Sequence, residues 1–164
     1  MPILDPFSIE FFSKSSEQTR RLGTRLGSSL FLGDIICLSG DLGSGKTTFT
    51  QGIAKGWGSL DQATSPTFVI VNQYKKPEGT LLHHVDAYRL QNSEDAYNID
   101  IETIFQTGAV VIEWPEKIKS TLPKDYLWID FSWVSEFQRR IVFSPFGERY
   151  RSLLKTFRQK AFGG

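Results

Sequence analysis

Short apolar runs recur along the chain between segments of helical spacing, an alternation that predicts an α/β fold. Phe7-Ser8-Ile9-Glu10-Phe11-Phe12 reads as a first strand rich in aromatics. Ser15 with Gln18 three residues on makes a capping box, behind which Leu22, Leu26 and Leu30 recur at four-residue spacing on one face of a helix. Gly23 and Gly27 weaken that helix locally but let its backbone come close to a neighbour. Ile35-Ile36-Cys37-Leu38 is a buried strand that runs straight into a glycine-rich loop. A helix follows from Thr47 to Ile53 or Trp57, stopped at Gly56-Trp57-Gly58.

Beyond a polar linker over 59–66, residues 68–74 and 81–86 are strands joined by six residues that include Pro77 and Gly79. So short a connection predicts an antiparallel hairpin. Residues 93–106 have a helical pattern, Ala109-Val110-Val111-Ile112 is apolar enough to be buried on both faces, and Pro115 ends it. A second hairpin is predicted from 126–133 and 141–143. In a last helix from Glu148, Leu153, Leu154, Phe157 and Ala161 share one side, and Arg151, Lys155 and Arg158 share another.

Composition narrows the class. At 164 residues, with 40% hydrophobic and 23% charged residues, one globular domain spanning 1–164 is expected. Cys37 is the only cysteine, so an intramolecular disulfide is excluded. The opening residues have no basic n-region and no run approaches the roughly 18 apolar residues of a membrane span, so the expected place is the cytoplasm, without membrane contact. The net charge of +1 is unevenly spread. Residues 78–116 are acidic with Arg89 as their one cation, whereas 149–160 hold Arg149, Arg151, Lys155, Arg158, Lys160 and no acid. The basic end reads equally as a solvated face or as a contact for nucleic acid or a partner protein.

The chemistry centres on Gly40-Asp41-Leu42-Gly43-Ser44-Gly45-Lys46-Thr47-Thr48, which fits G-x-x-x-x-G-K-[ST] without a mismatch. Glycines remove the side chains that would keep backbone N–H groups from curling around a phosphate, and the helix N-terminus adds its positive end. Asp41, Leu42, Gly43, Ser44, Gly45 and Thr48 would cradle the anion. Lys46 would reach the β- and γ-phosphates, and Thr47 would offer a hydroxyl to Mg²⁺. With this motif between strand and helix, the expected architecture is a P-loop NTPase-like three-layer sandwich with a mixed central sheet.

Hydrolysis needs acids as well, and Asp86 and Glu113 each end an apolar strand where a buried carboxylate calls for a cation. Either could instead be a solvated strand end. Thr67, in Ser65-Pro66-Thr67-Phe68, is either a segment that senses γ-phosphate or a Ser-Pro turn. Trp114 is core filling or a platform at the nucleotide. His83 and His84 face opposite ways in a strand, so no zinc site is expected.

Taken together these residues resemble the TsaE family, the bacterial P-loop ATPases of tRNA threonylcarbamoyladenosine biosynthesis. The loop through Phe49, Ser65-Pro66-Thr67-Phe68, Asp86-Ala87-Tyr88-Arg89-Leu90 and Ile112-Glu113-Trp114-Pro115 are similar to that family's motifs and stand in its order. The resemblance implies ATP and Mg²⁺ as ligands, Thr47 and Glu113 facing the metal, Asp86 as the Walker-B acid, and Trp114 close to the nucleotide. It places the stretch around Ser16 and Thr19 beside the base. It also implies TsaD-like and TsaB-like partners, with weak ATP hydrolysis driving or resetting the assembly that modifies adenosine 37 of ANN-decoding tRNAs, and leaves tRNA contact through the basic C-terminal helix open. Two departures are Asp100, where a glycine is expected, and Ala87 in place of a leucine. No finger arginine over the γ-phosphate is evident: Arg89 either serves in cis or pairs with the acidic stretch around it, and neither Arg139 nor Arg140 is assigned to phosphate.

Two other functions fit a phosphate loop. A small P-loop kinase would need an acceptor pocket and an arginine-bearing lid, yet 90–125 contain no arginine. A nucleotide-gated binding module would need neither acid. The absence of an N-K-x-D pattern favours adenine over guanine.

Overall fold

The computed structural model describes residues 6–60 and 70–162. Among these residues seven strands form one sheet: β1 (Ile9–Ser13), β2 (Ile35–Gly40), β3 (Val71–Lys75), β4 (Leu81–Asp86), β5 (Gly108–Glu113), β6 (Tyr126–Trp133) and β7 (Arg139–Phe146). Their order is β1-β7-β6-β2-β5-β4-β3. β6, β2, β5 and β4 run parallel, while β3 pairs antiparallel with β4, β7 with β6, and β1 with β7. Both predicted hairpins are present, residues 68–69 of the first lying outside the described residues, and the sheet is mixed, as expected.

The central strands are apolar throughout because both faces are covered. Along β2, Ile36 and Leu38 join one core with Ala109 and Val111 of β5, whereas Ile35 and Cys37 join a second core with Val110 and Ile112. The first face is covered by α1 (Ser16–Gly27), α2 (Lys46–Trp57) and α5 (Glu148–Phe162), and the second by α3 (Ser93–Asn98), α4 (Ile101–Thr107) and a 3₁₀ segment over Pro115–Thr121. These are the three expected layers.

α1 is capped by Ser15 as expected, but the return bond from Gln18 reaches one residue further back than a capping box places it, to Lys14 N and not to Ser15 N. Ser15 Oγ accepts from Gln18 N at 3.1 Å, and Gln18 Oε1 accepts from Lys14 N at 2.7 Å. The close approach expected at Gly23 and Gly27 is reciprocal. A Cβ at Gly23 or Gly27 would stand 2.2 or 2.1 Å from the carbonyl oxygens of Phe49 or Ile53 on α2, and one at Gly52 or Gly56 would stand 2.1 or 1.9 Å from those of Arg20 or Thr24 on α1. Gly56, read from the sequence as part of a stop signal, therefore belongs to this crossing. The stop is Gly58, left-handed at φ 95°.

The single helix predicted over 93–106 is two. Asp100, the residue before α4, adopts φ 59° and separates that helix from α3. A glycine suits that left-handed position best and aspartate tolerates it better than most residues, which accounts for the departure at 100.

α5 anchors the start of β2. Ile35 N donates to the Tyr150 hydroxyl at 2.8 Å, and Arg149 pairs with Asp34 at 2.7 and 2.9 Å. Lys160 bonds the hydroxyls of Ser28 and Ser29. The basic face of α5 thus reduces to the exposed Arg151, Lys155 and Arg158. Among the described residues no helix is long and apolar enough to cross a membrane.

Candidate functional site

β2 delivers the chain to the C-terminal edge of the parallel strands, where crevices in open α/β sheets bind ligands. There Gly40, Gly43 and Gly45 take φ of 146°, 76° and 109°. At Gly40 a Cβ would lie 2.5 Å from the Phe131 carbonyl oxygen, so glycine is required for space as well as for conformation. Gly45 precedes α2 without a side-chain cap, and no acid occupies the first turn, so the helix N-terminus keeps its positive character. The buried Ser44 hydroxyl has no hydrogen-bond partner among the described residues.

Lys46, the first residue of α2, folds back over the loop. Its ammonium donates to the carbonyls of Gly40 and, at 3.1 Å, Asp41, and sits 4.0 Å from the centre of the Trp114 ring. Burial lowers its pKa from the ordinary lysine value, opposed by the nearby charges of Glu113, Glu116, Asp41 and Asp86.

The two acids are register partners, Asp86 at the end of β4 and Glu113 at the end of β5. Glu113 is buried, with Oε2 2.6 Å from His84 Nε2, whose Nδ1 lies 3.2 Å from the Tyr74 hydroxyl. His83 turns to the other face and meets Thr107 at 3.0 Å, so the two histidines diverge as expected. Asp86 Oδ1 accepts from Tyr88 N at 3.0 Å. Trp114 is turned by its left-handed backbone, φ 60°, so that its ring meets Lys46 on one side and Tyr88, 5.0 Å away, on another.

One cavity of about 410 Å³ joins these groups. Ser16, Thr19, Leu42, Gly43, Ser44, Gly45, Lys46, Thr47, Thr48, Asp86, Glu113 and Trp114 all line it. Asp41 does not: it is exposed and contributes its carbonyl to Lys46. Thr67 lies outside the described residues. Arg89, the sequence's candidate finger, is exposed and off the cavity.

A family model, "Threonylcarbamoyl adenosine biosynthesis protein TsaE", matches residues 13–141. The chain belongs to the TsaE family. It is 36% identical over 138 residues to the tRNA threonylcarbamoyladenosine biosynthesis protein TsaE of Bacillus subtilis, covering 84% of this chain and 85% of that one. With the protein of the same name from Treponema pallidum it shares 39% over 131 residues, 79% of this chain and 95% of that one. Its fold is similar to the crystal structure of Bacillus subtilis YdiB, with a TM-score of 0.76 and 30% identity over 93% of this chain and 95% of that one.

The TsaE match spans every residue that lines the cavity, from Ser15 to Arg139, and stops before α5. Several of those residues were not legible from the motifs: Ser15, Tyr88, and Glu136, Phe137 and Arg139 of the β6–β7 hairpin. Arg139 stacks 3.8 Å from the centre of the Trp133 ring. Its Nη1 donates to the carbonyls of Ser135, Glu136 and Gln138 at 3.0 Å, and its Nη2 to that of Gly43 at 3.4 Å. It thereby ties the hairpin tip to the phosphate loop. Arg140, pointing away, pairs with Glu10 at 2.5 Å.

The site fits a nucleotide with a divalent cation. Gly43 and Gly45 line the cavity with positive φ, the buried Ser44 hydroxyl between them is orphaned, and hard oxygen donors of Thr47, Asp86 and Glu113 line the same cavity. Among the described residues no three His, Cys, Asp or Glu side chains gather to hold a metal by themselves.

Proposed function

We propose that this TsaE-family chain is a Mg²⁺-dependent ATPase, slow by itself. Its role is the threonylcarbamoyl modification of adenosine 37 in ANN-decoding tRNAs, where it drives or resets a cytoplasmic complex of TsaD-like and TsaB-like proteins. The observation that carries the chemical part is the convergence, on one cavity, of the glycine cradle, Lys46 and two carboxylates ending adjacent parallel strands. Membership of the TsaE family and the names of its relatives support the tRNA role.

In this reading the loop N–H groups and Lys46 bind the phosphates, the ammonium exchanging the carbonyls of Gly40 and Asp41 for phosphate oxygens. Thr47, Glu113 and Asp86 are the residues that would hold Mg²⁺, which when bound neutralises charge developing on the phosphate oxygens. Trp114 and Tyr88 wall the cavity beside Lys46, and Ser16 and Thr19 border the base. Arg139 reaches the cavity with its guanidinium already committed to backbone carbonyls, which supports low turnover until a partner supplies what is missing. Arg151, Lys155 and Arg158 on α5 are the side chains through which tRNA would be touched.

Calorimetric titration with Mg-ATP and measurement of phosphate release test the chemistry. Lys46→Ala should lose both while remaining folded, and Asp86→Asn or Glu113→Gln should slow release by ~10²-fold or more. Binding without release under every condition would leave a nucleotide-gated module. Mixing the chain with TsaB, TsaD, tRNA, threonylcarbamoyl-adenylate and ATP should give repeated turnover that Lys46→Ala abolishes. Turnover that is the same without the chain would refute the proposed role.

A further inference from the structure

A buried polar chain crosses three strands behind the phosphate loop: Tyr74 on β3, His84 on β4 and Glu113 on β5, exposed by 3%, 1% and 5%. A neutral imidazole has one donor and one acceptor nitrogen, and the tautomer follows from its partners. Facing a carboxylate oxygen at 2.6 Å, Nε2 carries the proton and donates to Glu113, and in the neutral ring Nδ1 then accepts from the Tyr74 hydroxyl at 3.2 Å. Every link then runs in one direction, from Tyr74 through His84 to Glu113 Oε2. A buried carboxylate without a donor is expensive, and here the donor is mounted on the neighbouring strand, in register two residues before Asp86.

We propose that His84, held in one tautomer by Tyr74, is a positioning residue for Glu113. It fixes the carboxylate by Oε2, so that the oxygen left for a divalent cation in the cavity is Oε1. The inference rests on the Mg²⁺ site proposed above and deepens it. Partners that orient a ligating side chain typically account for 10–100-fold in metal affinity.

The test uses the full chain and ADP, without turnover. Calorimetry measures ADP binding in EDTA and in Mg²⁺, and Mn²⁺ titration of the ADP complex reads metal affinity directly. His84→Leu should weaken Mn²⁺ binding to the ADP complex by about 10–100-fold and leave ADP binding in EDTA unchanged. His84→Gln, whose amide can still donate to Oε2, should recover part of the loss. Tyr74→Phe should fall between wild type and His84→Leu, and it carries the test if His84→Leu does not fold. In nitrogen-15 spectra the His84 Nε2–H proton should resonate far downfield, shift in Tyr74→Phe and vanish in His84→Leu. Wild-type metal affinity in both variants overturns the positioning role, as does an equal loss of ADP binding with and without metal. Wild-type ADP affinity that is indifferent to Mg²⁺ instead overturns the metal site itself, and the positioning role falls with it.

Discussion

Alanine at Gly52 sets helix propensity against packing. In an exposed helix interior Gly→Ala gains about 0.8–1.0 kcal/mol. Here the new Cβ would lie 2.1 Å from Arg20 O and 2.9 Å from Thr24 N, where ordinary contact begins at 3.4 Å. The oxygen must therefore retreat by more than ~1 Å, and it is backbone of a packed helix, not the end of a flexible side chain. Gly23, Gly27 and Gly56 make the same kind of contact, so tilting one helix to relieve position 52 tightens another. Overpacking of this sort costs about 1–3 kcal/mol, and rigid backbone argues for the upper end, which leaves a net loss of about 2 kcal/mol after the propensity gain. For a chain of this size that is a fall in Tm of roughly 4–8 °C. Thermal and urea denaturation of Gly52→Ala measure it. Mg-ADP affinity should fall too, because α1 carries Ser16 and Thr19, α2 carries Lys46 and Thr47, and all four line the cavity. A variant that melts at or above wild type would show that propensity wins and that the crossing is not tight.

Tyr150, pushed up to about 12 chiefly by burial, should make the fold sensitive to alkali. The folded state holds that proton more tightly than the unfolded chain, so its contribution is whole below about pH 10 and declines by about 1.4 kcal/mol per pH unit toward 12. Tyr150→Phe should remove this slope in urea titrations against pH, and at neutral pH lose about 1–3 kcal/mol by leaving Ile35 N without its acceptor. Arg139→Ala should loosen the hairpin, read as faster amide exchange at Val134 and Ser135, which bond the Gln138 carbonyl, and as ADP affinity reduced by about tenfold or more. Arg139→Lys should not restore either, since an ammonium lacks the planar fork that reaches several carbonyls at once.

What could be read from the chain were features whose physical requirement is local. The phosphate loop must have glycines where φ is positive and backbone packs on backbone, and Gly40, Gly43 and Gly45 carry that demand in their identity. The glycine pair on α1 likewise announced a close neighbour, although of its partners Gly52 and Gly56 the second was hidden by lying next to a real helix stop at Gly58. The break between α3 and α4 was not read from the helical pattern, because aspartate at 100 carries no such demand; only the resemblance, by expecting a glycine there, pointed to a turn. It is held at φ 59° by its context, with its side chain accepting from Thr103 Oγ1 at 2.8 Å.

The hairpin wall shows where local reading stops. Phe137 and Arg139 are separated from the phosphate loop by nearly a hundred residues, and no spacing rule ties an exposed phenylalanine in a polar turn to Gly43. What brings them there is strand order: β6 lies parallel beside β2, so its C-terminal end reaches the same edge as the loop, and the antiparallel return through β7 folds the turn over it. The same logic explains why Arg139 and not Arg89 reaches the cavity. Arg89 follows β4 closely but sits in a short 3₁₀ turn that exposes it, whereas Arg139 opens β7 with Trp133 opposite it in register and stacks there. Adjacent Arg140 must point the other way, to Glu10 on β1, because successive residues of a strand alternate. Choosing between the two arginines therefore needed the register, which depends on a turn whose geometry is set by the contacts of Arg139 itself.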